Sequence, residues 1–336
     1  MRGLQDARRD PRAPDGGLSP LPGCAAPAVA IPCGRFAPSP TGPLHFGSLV
    51  AALASFLDAR ARGGHWRGRI EDLDRPRVIP GMASDHLRTL ERFGLHWDDD
   101  VLYQSHGAER YAAALRQLER AGWLYPCICS RSDIAQAGLA GAEGYRYPGT
   151  CRTRSGSATD SAAWRVRVEA APIEWPDLVQ GPQRHALDAL CGDFVLRRAD
   201  GIITYQLAVV IDDAIQGVDR VVRGADLITS TPRQIHLQRL LGLPTPAYVH
   251  VPLALDRQGD KLAKRLGAAA VAAAEPVPLL CRALAFLGQS LPPEAPRLGR
   301  DTLLGWAIQH WDVGRIPRGQ GWPAPPLPNV ADSPEM

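Results

Sequence analysis

Leu49, Val50, Leu53 and Leu57 fall at helical spacing, and this pattern predicts an amphipathic helix over about 47–61. Before it, the run GRFAPSPTGPLHFGS is poor in helix formers and reads as a strand end followed by a shaped Pro/Gly loop. WRGRIEDLD then reads as a strand with a polar exit at Glu71 and Asp72, and helices are predicted at about 83–93 and 107–121, the second ended by Gly122. Strand-like runs follow at 164–168, 194–197, 202–211 and 218–222. In RGADLITSTPRQ, Ser230 or Thr231 is placed to cap a helix with Pro232 in its first turn. A strand at 248–255 and helices at about 277–287 and 303–311 complete the series. Alternating strands and helices predict an α/β fold with a largely parallel sheet.

The periodicity fails between 127 and 170, where cysteines, glycines and tyrosines mix, so this stretch is predicted to be an insertion held by something other than a large core. The expected organisation is a disordered extension over 1–33, one α/β domain built from 34–126 and 171–274 around that insertion, a helical part over 275–316 and a flexible tail over 317–336. No run approaches the roughly 18 apolar residues of a membrane span. An odd count of seven cysteines argues for a reduced, cytoplasmic setting over a disulfide scaffold. The 38 basic and 35 acidic side chains nearly balance, which excludes a polybasic arm or an acidic tail.

Candidate chemistry gathers at two places. His45, Gly47 and Ser48 stand where the first loop meets its helix; free N–H groups and the positive end of the helix dipole suit a phosphate there, and Gly47 lets a flat ligand approach the backbone. Alone, such a sequence is more often a polar cap on a surface helix. The lysines change the weighing: 36 of the basic residues are arginine, and the two lysines, Lys261 and Lys264, share the stretch DRQGDKLAKR. A compact, mobile ammonium beside Gly259 and Gly267 suits charge developing on phosphorus in a transition state. Elsewhere, Cys127, Cys129 and Cys151 fall in a 25-residue window, which suggests a metal or else a set of small thiols.

GRFAPSPTGPLHFGSL, RIEDLD, YQLAVVIDD, VRGADL and LALDRQGDKLAKR occur in this order over about residues 34–288. Together they resemble the glutamate branch of class I aminoacyl-tRNA synthetases, with HFGS in place of the HIGH signature and KLAKR in place of KMSKS. HFGSLVAAL and the early stop are more narrowly similar to the glutamyl-Q tRNA(Asp) synthetase family, which activates glutamate with ATP and attaches it to the queuosine base at the wobble position of tRNA(Asp). The resemblance implies a Rossmann-like nucleotide-binding catalytic domain with a zinc-containing insertion and a small helical C-terminal part. It implies glutamate binding at Arg35, Phe36, Ala37, Pro38, Ser39, Glu71, Tyr205 and Arg223. ATP would lie at His45, Gly47, Ser48, Lys261 and Lys264, with His45 and Lys264 catalytic and Mg2+ accompanying the nucleotide. One structural Zn2+ per chain would sit on Cys127, Cys129, Tyr147 and Cys151, with Tyr145 or water as alternatives for the fourth ligand. Two departures stand out: Ala263 where serine is often found, and a longer gap through GLAGAEG between the halves of the cysteine motif.

The implied partners are L-glutamate, ATP and the queuosine-bearing anticodon loop of tRNA(Asp), bound by a monomer. A compact body of about 20 Å radius of gyration cannot charge the acceptor end of a tRNA and also read its anticodon. A pocket seated on the anticodon loop resolves this, with recognition of splayed bases rather than of duplex. The alternatives are a truncated glutamyl-tRNA synthetase charging the 3′ end of tRNA(Glu) and an RNA-binding remnant without ATP turnover.

Overall fold

A computed structural model describes residues 31–141, 144–153, 162–255, 259 and 269–325. The chain opens with β1 (Cys33–Phe36), α1 (Phe46–Ala61), β2 (His65–Ile70), α2 (Met82–Arg92), β3 (Asp98–Tyr103), α3 (Ala108–Arg120) and β4 (Leu124–Cys127). The insertion contributes α4 (Arg131–Gln136) and the short strands β5 (Ala140–Gly141) and β6 (Gly144–Tyr145). There follow β7 (Ala163–Val166), β8 (Ile173–Asp177), β9 (Gly181–His185), α5 (Leu187–Leu190) and β10 (Phe194–Arg197). The second half runs α6 (Tyr205–Ile215), β11 (Arg220–Gly224), α7 (Thr231–Leu241), β12 (Ala247–Val251) and β13 (Leu253–Leu255). Last come α8 (Ala269–Ala273), α9 (Pro276–Phe286), α10 (Arg300–Gln309) and β14 (Gly321–Pro323).

β1, β2 and β3 form a parallel sheet in that order, and β11, β12 and β8 form a second parallel set with β9 antiparallel at its edge. The two meet where the Asp219 N–H donates to the Cys33 carbonyl at 3.1 Å, so β1 lies beside β11. A third sheet, β10-β7-β4, is antiparallel. The ends of β1 and β11 therefore face one crevice, the place where an α/β sheet changes direction and ligands are bound.

The helix that follows β1 is buried nearly all round. Leu49, Val50, Leu53 and Leu57 pack with Trp66 of β2 and with Leu280, Leu284, Leu303 and Leu304 of α9 and α10. The C-terminal helices, set apart in the sequence reading, thus share one core with α1. A second cluster joins α3, α6 and α7 through Tyr111, Leu118, Val209, Ile235 and Leu237. A third, small one holds Tyr125, Cys127, Tyr147 and Cys151.

Three expectations change. The run 202–211 reads as a strand because it is mostly apolar and rich in β-branched residues, yet α6 is a helix whose residues 207–213 are all buried, and burial on every side erases the helical period. Ser230 and Thr231 do not cap α7; Ser230 has helical backbone angles at the end of a 3-10 turn, and both hydroxyls bond side chains instead. The ends of the ordered chain also differ. Cys33, placed in the extension, is a buried strand residue, and residues 321–323, placed in the tail, pair with β13, which offers an open edge. Residues 1–30 and 326–336 lie outside the described residues. Among the described residues no helix is long and apolar enough to cross a membrane.

Candidate active site

A cavity of about 740 Å³ opens at the crevice between β1 and β11. Arg35, Phe36, Ala37, Pro38, Ser39, His45, Gly47, Ser48, Glu71, Tyr205 and Arg223 all line it, so every sequence-predicted amino-acid position and the first nucleotide motif converge on one space. Lys261 and Lys264 lie outside the described residues.

The loop after β1 is pinned at several points. The Glu71 N–H donates to the Pro38 carbonyl at 3.0 Å, and the Ile79 N–H donates to the Pro40 carbonyl at 2.9 Å. His86 of α2 binds the Gly42 carbonyl through Nε2 at 2.8 Å. Its Nδ1 is buried without a protein partner, and burial pushes the imidazole below its ordinary pKa, so the ring stays neutral at the cavity wall.

His45 is the N-cap of α1, with extended backbone, and its Nδ1 accepts from the Ser48 N–H at 3.3 Å. Gly47 leaves room for this: a Cβ there would stand 3.1 Å from Cε1 of the His45 ring and crowd it. No acidic residue occupies the first turn, so the positive end of the helix is uncompensated beside the cavity. This end can hold an anion.

The other end of the cavity is built for a ligand carrying both signs of charge. Arg35 is buried, its Nε donating to Asp213 Oδ1 at 3.2 Å and its Nη1 to the Val222 carbonyl at 3.1 Å. Arg223 rises from β11 with Nη1 donating to the Tyr205 hydroxyl at 3.1 Å and to Gln234 Oε1 at 2.8 Å. Across from them, Glu71 directly follows β2, with Arg69 Nε 3.7 Å from its Oε1. Burial raises the Glu71 carboxyl to about 7, although Arg69 and Arg35 pull it down. Two guanidinium groups and one carboxylate can together seat an amino acid with a side-chain carboxylate.

In the insertion, the sulfurs of Cys127, Cys129 and Cys151 lie within 4.8 Å of one another. The Tyr147 hydroxyl is 3.4 Å from Cys127 Sγ and 3.9 Å from Cys129 Sγ. Tetrahedral zinc with Zn–S bonds of about 2.3 Å places its ligands roughly 3.8 Å apart, and the Cys129 and Cys151 sulfurs, at 3.5 Å, approach this. The donor set fits a metal ion. Tyr147 and not Tyr145 is the phenol among the thiols, for Tyr145 is exposed.

Asp213, Arg69, His86, Asp177 and His250 escaped the sequence reading. The signal that could have found them is a polar group inside an apolar run, as in VVIDD and YVHVPL, since such a group must have a partner when buried.

This is the fold of a class I aminoacyl-tRNA synthetase catalytic domain, and a family model for tRNA synthetases class I (E and Q), catalytic domain, matches residues 33–276. A glutamate-tRNA synthetase crystal structure from Elizabethkingia anophelis superposes with a TM-score of 0.73 at 24% identity, covering 87% of this chain and 68% of that one. A protein of Geobacter sulfurreducens called glutamyl-Q tRNA(Asp) synthetase is 54% identical over 292 residues, 84% of this chain and 93% of that one. One of the same name from Aromatoleum aromaticum is 52% identical over 285 residues, 85% of this chain and 90% of that one. The chain belongs to the glutamyl-Q tRNA(Asp) synthetase family.

The raised Glu71 carboxyl binds its proton more tightly in the folded protein, so its contribution to stability is full below its ordinary value and is lost as pH rises through about 7. A carbon-13 titration of side-chain carboxyls is expected to show a midpoint near 7 that disappears in Glu71→Gln. Its absence in the wild type would mean that water solvates Glu71 freely.

Proposed function

We propose that this protein activates L-glutamate with ATP and transfers it to the queuosine base in the anticodon loop of tRNA(Asp). The carrying observation is that one cavity holds the Arg35, Arg223 and Glu71 cluster at one end and the His45 helix start at the other. An amino acid and the phosphates of a nucleotide can therefore meet in it, and positioning two reactants supplies much of the rate of such a reaction.

Glutamate sits with its ammonium on the Glu71 carboxylate and its carboxylates toward Arg35 and Arg223. Tyr205 and the 36–39 backbone close the pocket around it. The α-carboxylate attacks the α-phosphorus of ATP in line, the bond to pyrophosphate breaks, and glutamyl-adenylate forms. His45, the Gly47 N–H and the positive end of α1 stabilise the phosphoryl oxygens, with Lys264 and Lys261 assigned to the same charge. Mg2+ travels with the nucleotide. A hydroxyl of queuosine then takes the glutamyl group and releases AMP. No side chain need act as a strong general base, because the attacking carboxylate is already ionised at neutral pH.

The insertion is assigned a structural zinc on Cys127, Cys129, Tyr147 and Cys151. The cluster around it contains few apolar side chains, so metal binding stands in for a core there.

Two outcomes test these assignments. With radioactive glutamate, ATP and bulk tRNA, the label is expected on the queuosine nucleotide of tRNA(Asp). Label on an intact 3′ ribose, with tRNA lacking queuosine fully active, would establish the truncated glutamyl-tRNA synthetase instead. Metal analysis of protein prepared without chelator is expected to give about one zinc per chain, and Cys151→Ser is expected to lose most of it; metal-free, fully folded wild type would remove the assignment.

A further inference from the structure

Behind Arg223 lies a buried chain of polar groups that does not touch the cavity. Asp177 ends β8 and His250 lies in β12, and both side chains are fully buried. Asp177 Oδ1 accepts three backbone N–H groups, from Val179 at 3.1 Å, Gln180 at 2.8 Å and His250 at 3.3 Å. Its Oδ2 meets His250 Nδ1 at 2.5 Å. Burial alone would raise the Asp177 carboxyl, but the His250 hydrogen bond and the backbone N–H groups hold it low, so Asp177 can only accept. Burial also pushes His250 below its ordinary value and keeps it neutral. The single ring proton is therefore on Nδ1, and Nε2 is bare.

That bare nitrogen accepts the Arg223 Nε–H at 3.1 Å, with the Thr231 hydroxyl 3.3 Å away. Arg223 then divides its donors. To the rear, Nε goes to His250, Nη1 to Gln234 at 2.8 Å and Nη2 to Thr231 at 2.9 Å. Toward the cavity, Nη1 meets the Tyr205 hydroxyl at 3.1 Å and Nη2 the Leu227 carbonyl at 3.4 Å, and both of those residues line the pocket. On each Nη the forward contact is longer than the rear one. A ligand carboxylate can replace them as a bidentate pair while the rear bonds keep the guanidinium plane fixed.

We infer that Asp177 and His250 are positioning residues for amino-acid binding: Asp177 fixes the His250 tautomer that accepts from Arg223 Nε, and this aims the remaining N–H groups of Arg223 at the substrate carboxylate. The inference rests on the reading of Arg223 as a glutamate contact. Neither residue touches the substrate. Their effect is on the glutamate complex, leaving the nucleotide end untouched.

Asp177→Asn separates this role from a structural one. Three N–H donors converge on the Oδ1 position, so the amide oxygen must take that place and the amide NH2 must face His250 Nδ1. The proton moves to Nε2, and a donor then confronts the Arg223 Nε–H. Nitrogen-15 spectra of histidine-labelled protein are expected to show the His250 tautomer exchanged. The KM for glutamate should rise about tenfold or more, as for loss of a hydrogen bond to a charged group, while the KM for ATP changes less than about twofold. His250→Gln, which puts an amide oxygen near the place of Nε2, should retain most of the glutamate affinity, and His250→Leu should not. This second pair decides the matter if Asp177→Asn fails to fold. An exchanged tautomer with unchanged glutamate KM, or equal KM values for the Gln and Leu variants, would overturn the inference. Arg223→Lys with unchanged glutamate KM would instead remove Arg223 as a substrate contact.

Discussion

Asp213 is the constraint on which the pocket depends. Its Oδ1 accepts from Arg35 of β1 at 3.2 Å and from Arg69 of β2 at 2.7 Å, in surroundings with almost no solvent. Burial alone would raise the carboxyl, but the two guanidinium groups keep it below its ordinary value and charged. One side chain on α6 thereby ties two strands of the first sheet to the second half of the fold. Breaking a buried ionic network of this kind by removing one partner costs roughly 3–5 kcal/mol, because two buried cations would then lose the one carboxylate that both of them hydrogen-bond. The geometry that follows from it shapes the cavity. With Arg69 turned toward Asp213 and Gln216, Glu71 at the end of the same strand remains in the cavity wall, opposite Arg35 and Arg223.

A second consequence is the division of labour within the arginines. The chain carries thirty-six arginines and two lysines. Arg35, Arg69 and Arg223 show what the planar fork does in this fold: each reaches two or more acceptors at once in a buried place, which a lysine cannot do with the same geometry. Arg165 extends the pattern to the insertion, where its guanidinium lies 4.0 Å over the Tyr147 ring and its Nη1 donates to the Asp193 carbonyl.

Much of the site was legible because its residues sit in short, ordered motifs: the loop from Arg35 to Ser48, Glu71 at the end of RIEDLD, Tyr205 and Arg223. The spacing of Leu49, Val50, Leu53 and Leu57 also placed α1 to within a residue of its observed start. What was not legible depends on contacts distant in sequence. Asp213 reaches back 178 residues to Arg35, and His250 73 residues to Asp177. No local pattern encodes either pair. The helix α6 was misread for a related reason: its surroundings, not its own period, determine which residues are buried. The antiparallel sheet of β4, β7 and β10 was missed because each of its strands has only four residues, too few to separate an alternating pattern from a continuous apolar run.

The central claim is that a single pocket, organised around Asp213, binds glutamate and ATP together and joins them before any RNA arrives. Glutamate-dependent exchange of radioactive pyrophosphate into ATP, measured in the absence of tRNA, tests it most directly. The account predicts exchange with glutamate alone. Folded, zinc-loaded protein that exchanges only when tRNA is added, or not at all, would contradict it.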